Sequence, residues 1–134
     1  MSLHHPKPNH NHAAEYQCSG VPFLSSSARN GVTTAGVKVS FPYVTRWVQV
    51  FCHADAAKEL RVGFTVIGIS DELERNFVLV PTGTCTPRLE VKCTEIHLRS
   101  DTSTSGYSLI AGLTNVGPSQ FFTMSGSNGV AGVG

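Results

Sequence analysis

The chain has 134 residues, with ten Lys/Arg against nine Asp/Glu, a formal net charge of +1 and a charged fraction of 14%. That length suits one domain, the evenly scattered charge offers no basic stripe for a nucleic acid, and no stretch approaches the roughly 18 apolar residues of a membrane span. An average soluble protein is about 25% charged, so a surface this poor in charge is expected to meet other protein.

Residues 1–15 read as an arm, with His4, His5, His10 and His12 among prolines and asparagines and no apolar periodicity. No apolar signal-peptide core stands at this end, so a reducing compartment is expected. Residues 16–125 carry the folded pattern. Val21, Phe23 and Leu24 open a first short strand closed by Ser25–Ser27, and Asn30-Gly31 is a turn dipeptide. Residues 37–41 alternate with period two and stop at Pro42. Residues 45–53 are apolar on both parities, with Val48, Val50 and Cys52 facing the core and Trp47 and Phe51 the other side.

The run 59–68 alternates most cleanly, predicting Leu60, Val62, Phe64 and Val66 inside and Glu59, Arg61 and Thr65 outside. Asp71 and Glu74 have capping-box spacing for one helical turn. Residues 77–80 make a short strand ended by Pro81 and Gly83. Residues 89–93 alternate, then the parity flips so that Ile96 and Leu98 carry the apolar face onward, which predicts a β-bulge near Thr94-Glu95. Tyr107, Leu109, Ala111 and Leu113 define another strand, 120–124 a last one, and 126–134 a glycine-rich tail. Short strands at about ten-residue intervals, with no long helix, indicate an all-β sandwich, jelly roll or barrel.

Candidate chemistry is thin. The N-terminal histidines are metal-ligand types, but an arm supplies no scaffold, and neither a metal site nor a cofactor is expected. Cys18, Cys52, Cys85 and Cys93 form no Cys-x-x-Cys pair and are expected as free thiols, with Cys52 and Cys93 acting as small buried hydrophobes. His53 at a strand end and His97 on an outward parity are the partners a Cys-His dyad would need, but no motif surrounds either cysteine. Asp71, Glu72 and Glu74 lack the ligand spacing of a calcium loop. No catalytic residue is therefore expected. Arg46, Trp47 and Phe51 form the one aromatic constellation, suited to an inter-subunit contact, to stacking on a sugar, or to ordinary core.

The segments Phe41-Pro42-Tyr43-Val44-Thr45-Arg46-Trp47-Val48-Gln49-Val50 and Leu60-Arg61-Val62-Gly63-Phe64-Thr65, with residues 89–96 and 107–114, carry a resemblance. Together they resemble the small single-jelly-roll penton proteins at the fivefold vertices of large icosahedral double-stranded DNA viruses. The resemblance implies a single jelly-roll β-sandwich of about eight antiparallel strands. It further implies a structural virion protein, made in the host cytoplasm, that forms a homo-pentamer at the capsid vertex and contacts the major capsid protein and minor capsid proteins. In that setting Arg46, Trp47 and Phe51 are the expected inter-subunit contacts. The alternative is a monomeric carbohydrate- or ligand-binding β-sandwich.

Overall fold

The structure, a computed structural model, describes residues 20–54, 58–70, 76–101 and 103–121. Eight strands follow in order: β1 (Val21–Ser26), β2 (Val32–Thr33), β3 (Val37–Ser40), β4 (Thr45–His53), β5 (Glu59–Gly63), β6 (Phe77–Pro81), β7 (Glu95–Ser100) and β8 (Thr104–Leu113). They form two antiparallel sheets packed as a β-sandwich. In the first, β8 is central, with β1, the short β2 and β4 paired to it; in the second the order is β3-β7-β5-β6.

Residues 84–91 extend the first sheet along the free edge of β4. Bridges join Phe51 to Cys85 and Val48 to Leu89. The Leu89 amide donates to the Val48 carbonyl (2.8 Å) and the Val48 amide to the Leu89 carbonyl (2.9 Å). The pairing is therefore nested: β1 with β8, β3 with β7, β4 with 84–91, and β5 with β6.

The alternating residues of the two sheets meet in a core that includes Val48, Val50, Leu60, Ile96, Leu98 and Leu109. Each such side chain contributes about 1.5–3 kcal/mol by leaving water. Phe23 of β1 meets Phe41, just past β3, edge to face at 5.1 Å between centroids, and closes one flank. The opposite flank, between β6 and residues 84–89, stays open as a groove of about 350 Å³ lined by Val62, Phe64, Val78, Val80 and Leu89 among others.

Four sequence expectations need correction. The strand expected over 59–68 ends at Gly63, and residues 64–70 turn back over the outer face of the second sheet. Arg61 and Thr65, expected outside, are consequently buried, while Val66, expected inside, is 66% exposed. Residues 89–98 are not one bulged strand. The parity flip is real, but it arises because the chain leaves the first sheet after Cys93 and enters the second at Glu95. The bulge lies in β4 instead, where Arg46 is the extra residue between Thr45 and Trp47. His97 is outward in register yet buried, beside Gly63 where the turned-back segment packs. Finally, Gln120 lies in a 3-10 turn, Pro118–Gln120, rather than opening a strand. The arm 1–15, the helical turn near 71–74, residues 122–124 and the tail 126–134 lie outside the described residues.

Candidate interface

The outer face of the first sheet reads off the strand register in rows. Pro22, Gly112 and Trp47 stand side by side, then Leu24, Ile110 and Gln49, then Ser26, Ser108 and Phe51, with Cys85 next to Phe51. Among all the residues of β1, β4 and β8, Arg46 is the single Lys, Arg, Asp or Glu. Leu24 is 72% exposed and Phe51 39%. A sheet face in contact with water normally alternates polar residues outward. Here the rows carry Pro22, Leu24, Trp47, Phe51 and Ile110 outward, and their polar members, Gln49, Ser26 and Ser108, are uncharged.

The β4 bulge explains how one strand supplies both faces. In a regular strand Thr45 and Trp47, two residues apart, would share a face. With the extra residue, Thr45 turns inward and is fully buried while Trp47 goes out. Thr45 Oγ1 donates to the Val91 carbonyl (2.8 Å) and accepts from the Cys93 amide (3.0 Å), tying the bulge to the point where the chain changes sheet.

Trp47 lies half-buried against Gly112. A Cβ there would fall 2.9 Å from Cδ1 and Cε2 of the indole and closer still to Nε1, so only glycine leaves the ring its seat. The Arg88 guanidinium lies 5.0 Å from the indole centroid and also pairs with Glu90 at 2.7 Å. Arg46 is half-buried at the bulge, and Phe51 projects two rows along from Trp47. The three expected contact residues thus sit along one strand, Trp47 and Phe51 on one face and Arg46 at its edge. Sequence reasoning missed Arg88, Cys85, Leu24 and Ile110. Their membership depends on which strands pair, and only the apolar exposed parity of 21–24 hinted at it.

The thiols are chemically quiet where buried. Desolvation pushes Cys93 up to about 11, against a smaller lowering by its Thr45 hydrogen bond. Burial also raises Cys52. Both therefore stay protonated at neutral pH and are poor nucleophiles. His53 Nε2 donates to the Tyr107 carbonyl at 2.9 Å, so its ring is committed to β8 and not to a cysteine. Cys85 is exposed. Among the described residues no group of three or more His, Cys, Asp or Glu is placed to hold a metal ion, and no helix is long and apolar enough to cross a membrane. No family model, curated protein or solved structure matches the chain.

Proposed function

We propose that the chain is a structural assembly protein, a single jelly roll that forms the pentameric vertex of an icosahedral capsid and contacts the major capsid protein. The observation that carries the assembly part is the neutral, apolar outer face of β1, β8 and β4, open at Leu24 and Phe51. The jelly-roll part is supported by the nested pairing, which is the order of one long hairpin rolled across two sheets. The vertex part rests on the family resemblance of residues 37–116.

Magnitudes favour a broad contact over two anchors. Completing the burial of Leu24 and Phe51, already partly covered, yields at most about 1.5–3 kcal/mol each, whereas association costs about 4–15 kcal/mol in lost freedom. The contact must therefore extend along the rows through Pro22, Ile110 and Trp47. A closed ring requires two different patches on each subunit. This face supplies one, and the groove between β6 and residues 84–89 on the open flank supplies the second. The Arg88 guanidinium over Trp47 favours this reading over a sugar platform, because it occupies the ring that a sugar would stack on.

The test is carbene footprinting of the full chain, wild type and Leu24→Lys/Phe51→Lys, across a range of concentrations. The wild-type face is expected to become protected as concentration rises, and the double variant to stay labelled with an unchanged thermal transition. Protection that is complete at every concentration and survives in the double variant would assign the cover to the same chain. Labelling that never changes would remove the assembly reading.

A further inference from the structure

The outer face of the second sheet is treated differently from the first: the chain covers it with residues 64–70. That segment is a wound turn. The Gly68 amide donates to Thr65 Oγ1 (2.9 Å), the Ile69 amide to the Thr65 carbonyl (3.3 Å) and the Ser70 amide to the Ile67 carbonyl (3.1 Å). Its attachment to the sheet has two parts. The first is a plug: the Ile69 side chain lies where a Cβ on Gly63 would come within 2.6 Å of Cγ2, and 3.6 Å from where a Cβ on Gly36 would stand. Two bare glycines thus form the slot that receives it.

The second part is a latch built from charge. The Ile69 carbonyl accepts from Arg61 Nη1 (3.1 Å) and Arg99 Nη1 (3.5 Å). Arg61 is only 6% exposed, its Nε donates to Asp101 Oδ1 at 2.7 Å, and its guanidinium lies 4.5 Å over the Phe77 ring. Buried ion pairs of this kind are poor glue compared with apolar packing of similar volume, because desolvation offsets the attraction. Apart from Phe64 at its near end, which packs against the core, the segment is fixed by one aliphatic plug and one polar latch on the outer face of the sheet, which is the composition of a local opening unit.

We propose that residues 64–70 are a strap that opens as a unit from a folded sandwich, with Arg61 and Asp101 as its latch and Ile69 in the two-glycine slot as its plug. Opening uncovers Gly63 on the outer face of β5, beside its register partner Phe77.

Native-state hydrogen exchange on the full chain tests this directly. In the wild type, the Gly68, Ile69 and Ser70 amides are expected to exchange together, well ahead of Val48 and Val50. Asp101→Asn removes the carboxylate charge that pairs with buried Arg61 and leaves a weaker amide acceptor, which should speed exchange in the strap about 10- to 100-fold, leaving β4 and β8 unchanged. Gly63→Ala obstructs the slot, its Cβ meeting Ile69 Cγ2 at 2.6 Å and the Asn76 carbonyl at 3.1 Å while keeping the Arg61–Asp101 pair, and should produce the same local pattern. Should both variants speed exchange equally in strap and core, or should neither affect the strap, the segment is an inseparable part of the sandwich and the proposal fails.

Discussion

At the scale of single residues, Thr45 links the bulge, the core and the change of sheet through one hydroxyl. Thr45→Val keeps the shape but leaves the Cys93 amide and the Val91 carbonyl without that partner. The expected loss is about 1–3 kcal/mol, read as a lower urea midpoint at an unchanged slope. Gly112→Ala should displace the Trp47 ring and weaken both the fold and the outer face, whereas Trp47→Ala should spare the core beneath β4. Cys93 gives a pH signature. Its pKa is raised from 9.0 to about 11 in the folded chain, so the unfolded state ionises first as pH rises. The contribution is intact below pH 9 and is lost between pH 9 and 11, amounting to about 3 kcal/mol. A Cys93→Ala background should flatten that part of an alkaline stability curve.

At the scale of elements, strands whose neighbours lie on one side only were legible from alternation. Residues 107–113 predicted their own burial because β8 is the centre of a sheet with one face in the core. The run 59–68 misled for a physical reason. Period two continues through Phe64 and Val66, but alternation says nothing about whether a chain keeps going straight, and Thr65 instead closes a turn on Gly68. Arg61 shows the same limit from the other side. A cation on an outward parity reads as solvated, and only the strap that folds over it makes it buried. The parity flip after Cys93 was visible in the residues, but a bulge and a crossing between sheets leave the same trace in a sequence. Trp47 and Phe51 were identified from their parity, whereas Arg88 and Leu24 join them only through pairing between distant segments.

At the scale of the whole molecule, the two outer faces are the informative contrast. One is covered by the chain's own strap and carries Lys38, Glu95, Arg61 and Arg99. The other has a single charged residue, Arg46, in β1, β4 and β8, with the Arg88–Glu90 pair at its rim, and leaves Leu24 and Phe51 in the open. Low overall charge in the composition is thus concentrated in β1, β4 and β8, the surface we propose binds another copy. The native mass of the purified full chain over a range of concentrations, by native mass spectrometry or light scattering, tests that claim most directly. The account predicts a five-subunit species that grows with concentration and disappears in Leu24→Lys/Phe51→Lys. A wild-type chain that stays monomeric at every concentration, or whose oligomers survive both charges, would contradict it.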